Sequence, residues 1–278
     1  MDLRFTKLLP VLLIAPSFST GAVLTQATLN AWDDHVRTAN ARVQERIRTG
    51  HFLWMDESPD RMRRVRQGEV VVSPVGDRHP EHVPDGLIHD WIGGTFIPGA
   101  KVDEVLSVLR DYGRYKDYYS PTVVDSKTLA QTQANDRFSM VWLNKALFLT
   151  TALDSEYDSS YVQVDAKRWY SVACTTRVQQ IENYQEAGQH ELPPDLGNGY
   201  IWRLCSISKF QERDGGVYVE LEAMALSRPI PTAIHWMVEP VVARLSRNSL
   251  QLSLQQSREA VRTSEAARNR SILLARLP

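Results

Sequence analysis

The chain has 278 residues, 43% of them hydrophobic and 23% charged, with a formal net charge of -1. Such values exclude a chain that is disordered over most of its length. They also exclude a global basic field, so no nucleic-acid partner is expected.

The first segment reads as an address. Arg4 and Lys7 precede an apolar run from Leu8 to Phe18, and Ser19 to Ala22 are small residues. This is the tripartite secretory pattern. The run is shorter than the ~20 residues a membrane span needs, and Pro10 and Pro16 interrupt it. Residues 1–22 are therefore expected to be a signal peptide, with an uncleaved tether as the other reading. The protein is expected to be exported, periplasmic or secreted.

Residues 23–84 read as an N-terminal helical extension and linker. The spacing predicts an amphipathic helix over 25–48, with Leu29, Trp32, Val36, Val43 and Ile47 near one face and Gly50 as its end. Phe52 to Met55 form an apolar plug. The basic cluster Arg61 to Arg66 reads as a solvated helix face, or as a peripheral contact with an anionic membrane. A short strand is predicted from Gly68 to Ser73.

Leu87 to Pro98 is a stronger strand, and Gly93-Gly94 at its middle marks a bulge or a close backbone approach. A helix follows over 102–112 and a short helix or turn over 114–119. Strands are then predicted at 122–129, 136–144, 146–157, 160–182, 199–212 and 216–226. Asp214-Gly215-Gly216 is a hairpin turn signal. A last helix is predicted over 232–262, kinked at Pro240, with Ile234, Val238, Val241, Leu245, Asn248 and Leu252 as its stripe. Residues 263–278 read as a frayed tail. This order predicts an α+β domain over 85–262: a curved antiparallel sheet whose concave face is covered by the long C-terminal helix.

Three stretches resemble the START-like superfamily, with its polyketide cyclase and coenzyme Q-binding branches. The first is Phe96-Ile97-Pro98-Gly99 followed by Val102 to Val105, Tyr112, Tyr115 and Tyr118. The second is Gly216 to Glu222, and the third is Arg228 to Pro231 leading to Arg244, Arg247 and Leu250. The resemblance implies a helix-grip fold and an internal space for a hydrophobic small molecule: a lipid, quinone or polyketide. The extension over 23–84 falls outside it. It looks like one found in exported bacterial START-like proteins of unassigned activity.

The residues expected to line that space come from several elements. Trp91, Phe96 and Trp142 supply aromatic rings. Trp202, Leu204 and Phe210 belong to the strand before the hairpin turn. Val219, Leu221 and Ala223 belong to the strand after it, and Val238, Val241 and Leu245 to the final helix. Small Ser and Ala residues on those two strands leave room, which the helix or a ligand fills. Glu220 and Glu222 share the opposite face and read as solvated, with Glu220 beside Lys209 across the hairpin.

No catalytic site is predicted. His51, His89 and His235 are scattered, and there is no GxSxG, Walker or dinucleotide pattern. No metal and no cofactor are expected. A cyclase- or aromatase-type enzyme is the second reading, with Arg203, Tyr218, Glu222 and His89 as its only polar candidates. An envelope interaction module, docking a partner through the N-terminal helix, is the third. Oligomeric state is not readable.

Cys174 and Cys205 are the only cysteines. They stand about equally far from the tip of the hairpin between their strands. That makes them disulfide candidates in an oxidising compartment, and a register slip of one residue would instead leave two free thiols.

Overall fold

The computed structural model describes residues 23–77, 79–146, 149–197, 201–230 and 235–274. The expected signal peptide lies outside the described residues.

Helix α1 (Gln26–Thr49) opens at Thr25, whose side chain accepts from the Thr28 amide, and closes at Gly50 in the left-handed region (φ 82°). A 3₁₀ turn (Trp54–Glu57) and α2 (Pro59–Arg66) follow. The strands are β1 (Val71–Pro74), β2 (Glu81–Val83), β3 (Gly86–Pro98), β4 (Val123–Gln131), β5 (Asn135–Ala146), β6 (Leu149–Asp165), β7 (Arg168–Glu182), β8 (His190–Glu191), β9 (Ile201–Arg213) and β10 (Gly216–Ser227). Between β3 and β4 lie α3 (Val102–Leu109), a second 3₁₀ turn (Tyr112–Arg114) and α4 (Tyr115–Tyr118). Helix α5 (His235–Leu274) closes the described chain. It continues well past the predicted end at 262.

The strands form one antiparallel sheet in the order β1-β3-β10-β9-β7-β6-β5-β4, with β2 on β3 and β8 on β7. Strand β1 falls at the short strand predicted from Gly68 to Ser73, and with β2 it carries the sheet into the segment read as extension and linker. Consecutive hairpins build it from β4 to β10, and β10 then pairs with β3, the first long strand. The result is an α+β helix-grip architecture. Helix α5 packs on one face through Leu250, Leu254 and Val261, with α3 beside it. Helix α1 and the plug Phe52–Met55 pack on the other face. We call these the concave and convex faces.

The stripe of α5 differs from the predicted one. Asn248 and Leu252 are exposed, while Leu250, Leu254, Ser257 and Val261 are buried. Those four follow 4-3-4 spacing, which keeps one face of a long helix on its partner.

Gly93 and Gly94 are a close approach rather than a bulge. A Cβ on Gly93 would stand 2.8 Å from Leu254 Cδ1 of α5 and 3.0 Å from the Val71 carbonyl oxygen. On Gly94 it would collide with Met55 Cε of the plug. Successive strand residues point to opposite faces, so one glycine admits each layer.

Candidate functional site

The register of the central strands sorts the expected lining residues by face. Leu204 pairs with Ala225, Ser206 with Ala223, and Ser208 with Leu221. Ala223 in turn pairs with Trp91, and Leu221 with Gly93. Ala173 and Ser171 of β7 continue these rows beside Ser206 and Ser208. Helix α5 reaches the same face, because Leu254 meets the Gly93 position and Val242 packs with Leu87.

This concave face is closed at one end and part-open at the other. At the closed end Phe210 and Val219 are 1% and 3% exposed, packed with α3 and the buried half of α5. Farther along, Trp91, Ala173, Leu204, Ser206, Ser208, Leu221, Ala223 and Ala225 are only half-buried. Trp142 is half-buried too, and its indole Nε1 donates to Ser155 Oγ at 3.0 Å. Over this stretch Val241 and Leu245 of α5 are also half-buried. The side chain of Val238 lies outside the described residues.

Two expected lining residues are on the wrong face. Phe96 pairs with Tyr218, the two rings tilted by 37° with centroids 4.6 Å apart, under the plug. Its distance of five residues from Trp91 sets the two on opposite faces of a regular strand. Trp202 packs with Trp32 and Ala39 of α1. The pairing jumps from Leu226↔Arg203 to Ser227↔Ile201, so Trp202 is the extra residue of a bulge and loses the parity it would share with Leu204.

The convex face corrects a second expectation. Glu220 and Glu222 are not solvated: they are 1% and 4% exposed. Lys209 Nζ donates to Glu220 at 2.8 Å, as the hairpin register predicts, but that pair is buried too. Glu220 also accepts from the Trp54 amide at 2.5 Å and faces Arg46 at 3.6 Å. Arg42 reaches Glu222 at 2.5 Å and Asp90 at 3.5 Å. His35 lies between Asp90 (2.9 Å) and Glu81 (3.1 Å), an arrangement satisfied when both ring nitrogens donate. Burial raises the Glu222 carboxyl pKa, the Asp90 charge adds to this, and Arg42 opposes it. Sequence reading missed this network, although Asp90, Glu220 and Glu222 share one strand parity and α1 carries Arg42 and Arg46 at one helical spacing.

A groove of 430 Å³ also lies on the convex side, where Leu29, Trp32 and Val36 of α1 meet Cys174, Thr175 and Arg203. Cys174 and Cys205 are direct partners across β7 and β9, with Cα atoms 4.0 Å apart, and are joined by a disulfide.

An aromatic stack borders the concave opening. Tyr112 lies on Phe138 at 4.1 Å, and Phe138 on Tyr157 at 4.8 Å, all nearly parallel. The Tyr112 hydroxyl donates to Asp136 at 2.9 Å and pairs with the Tyr161 hydroxyl at 3.0 Å, while Arg110 clamps Asp136. Alternation along β5 and β6 carries this signal, but the reading above assigned those residues no role.

The four polar candidates for catalysis are dispersed. Arg203, Tyr218 and Glu222 pair with or belong to the convex side. His89 is concave, 4% exposed and bonded to Ser227 at 3.0 Å; burial pushes its pKa down to about 4, so it is neutral near pH 7. Among the described residues no cluster could hold a metal ion, and no helix is long and apolar enough to cross a membrane.

No protein-family model matches the chain, and no curated protein matches it. Solved structures do match. A STAR-related lipid transfer protein fragment from Xanthomonas axonopodis is 19% identical, covering 69% of this chain and 98% of its own, with a TM-score of 0.45. The Zhui aromatase/cyclase from a Streptomyces species is 15% identical, over 65% of this chain and 98% of that one, with a TM-score of 0.39. A START superfamily protein from Mycobacterium smegmatis is 8% identical, over 63% and 99%, with a TM-score of 0.39. The strand order and the gripped C-terminal helix of this chain are those of a helix-grip fold.

Proposed function

We propose that this protein binds or carries a hydrophobic small molecule, such as a lipid, quinone or polyketide-like compound, on the concave face under the first half of α5, and that it does so after export. One observation carries the reading. On the sheet's convex side α1 and the plug pack down as a buried layer, whereas apolar concave residues such as Trp91, Leu204 and Leu221 stay half-buried although a 40-residue helix is available to cover them. Apolar surface retained on a concave, small-residue floor suits an apolar ligand. The enzyme reading is weaker, because its polar candidates are split between faces and His89 is engaged with Ser227. The interaction-module reading loses its docking element, because Trp32, Ala39 and Val43 of α1 pack on the protein's own sheet.

The test is native mass spectrometry with solvent extraction of protein purified from a membrane-containing host. A co-purifying apolar compound is expected, and after its removal the protein should take up the neutral dye N-phenyl-1-naphthylamine with enhanced emission. Protein that carries no extractable compound and takes up no dye would overturn the proposal.

A further inference from the structure

Buried tyrosine hydroxyls ordinarily find partners. Around the aromatic stack they do. Tyr112 bonds Asp136 and Tyr161, Tyr115 donates to the Leu109 carbonyl at 2.5 Å, and Tyr119 pairs with Ser257 at 2.9 Å. Tyr157 is the exception: it is 5% exposed, and its hydroxyl has no hydrogen-bond partner among the described residues. Ser155 lies near enough to act on it but outside hydrogen-bonding geometry. Ser155 Oγ already accepts from Trp142 Nε1, which leaves its own O–H free to donate.

The position of Tyr157 matters as much as its missing partner. It is the inner ring of the stack, on β6, whereas Tyr112 and Phe138 lie toward the β4–β5 edge. Its cluster includes half-buried Leu204 and Met140, so the ring stands at the border of the part-open concave stretch. Of the side chains around it, Leu204, Met140, Trp142 and Ser155 are uncharged, and the charge that acts on the hydroxyl is the Asp154 carboxylate. A carboxylate held there would lose its hydration without gaining a cation, whereas a carbonyl or hydroxyl group would need only a hydrogen bond.

We propose that the ligand is anchored through an un-ionised oxygen held by the Tyr157 and Ser155 hydroxyls, and is thus a neutral apolar molecule bearing a carbonyl or hydroxyl group. This rests on the concave face being the ligand site.

Three ten-carbon compounds test it by displacing N-phenyl-1-naphthylamine from the delipidated full chain: butyrophenone, butylbenzene and, above its pKa, 4-phenylbutanoate. Butyrophenone is expected to half-displace the dye at a concentration about tenfold below that of 4-phenylbutanoate. Tyr157→Phe should raise the butyrophenone concentration needed by about tenfold and leave butylbenzene unchanged, which also reports an intact site. If 4-phenylbutanoate competes as well as butyrophenone on the wild-type protein, or if Tyr157→Phe shifts none of the three, the oxygen anchor is refuted while the site reading stands. That first comparison needs no variant and holds even if Tyr157→Phe fails to fold. A wild-type protein that binds neither dye nor any of the three refutes both.

Discussion

Lys209 and Glu220 show how a correct pairing can carry a wrong environment. The Asp214-Gly215 turn fixes their register, so their contact was legible in the sequence. Their burial was not, because the cover comes from α1 and Trp54, more than 150 residues away in the chain. Side chains that are 2% and 1% exposed give a buried pair; removing Glu220 leaves the Lys209 ammonium without its anion, and removing Lys209 leaves Glu220 with only the Trp54 amide and the more distant Arg46. Glu220→Gln and Lys209→Met should each cost about 3–5 kcal/mol of unfolding free energy. The double variant Lys209→Met/Glu220→Gln should cost clearly less than the sum. Urea denaturation measures all three; single losses below about 1 kcal/mol would mean that the pair behaves as a solvated one.

At the scale of elements, α1 was legible as a helix and only half legible as a surface. Trp32 and Val43 stand on its buried face as predicted, but His35, Arg42 and Arg46 share the contact with the sheet. Hydrophobic periodicity cannot report a helix face that docks partly through charge. Phe96 and Trp202 mark a second limit. Parity along β3 would have excluded Phe96, whereas the bulge at Trp202 leaves no signal in sequence. The docking of α1 makes stability depend on pH through His35. Burial alone would lower the His35 pKa, but its hydrogen bond to Asp90 and the charges of Asp90 and Glu81 outweigh this, with Arg42 opposing, and the pKa rises above 6.5. The folded chain then holds that proton more tightly than the unfolded chain. The stabilisation is fully present below pH 6.5 and is lost as pH rises through the elevated folded-state value. Glu222, whose pKa is also raised, acts with the same sign over a window starting at 4.5. The melting-temperature advantage of wild type over His35→Gln should therefore shrink between about pH 6 and about pH 8. An advantage that stays level or grows across that range would contradict the assignment.

For the molecule as a whole, the sequence carried the element order because turns and periodicity are local properties. It could not carry which face each layer covers, since that depends on contacts between distant segments. The Cys174–Cys205 bond joins two strands whose pairing already brackets the loop between them, closing a separation of 31 residues. Such a closure is worth about 4 kcal/mol in the chain-entropy account. Thiol titration of unreduced, denatured protein should find no free thiol, and Cys174→Ala/Cys205→Ala should lose about 4 kcal/mol of stability. Two titratable thiols per chain would refute the bond.

The Gly93-Gly94 pair has a mechanical consequence. At that point the wall between the N-terminal plug and α5 is a single backbone, with Met55 pressed on one side and Leu254 on the other. Elsewhere in the sheet, side chains on both faces act as a compliant cushion between the layers. Here there is none, so the two outer layers are in register with each other through bare peptide. A displacement of the helix that roofs the concave face is transmitted at this point to a segment that lies wholly outside the ligand side.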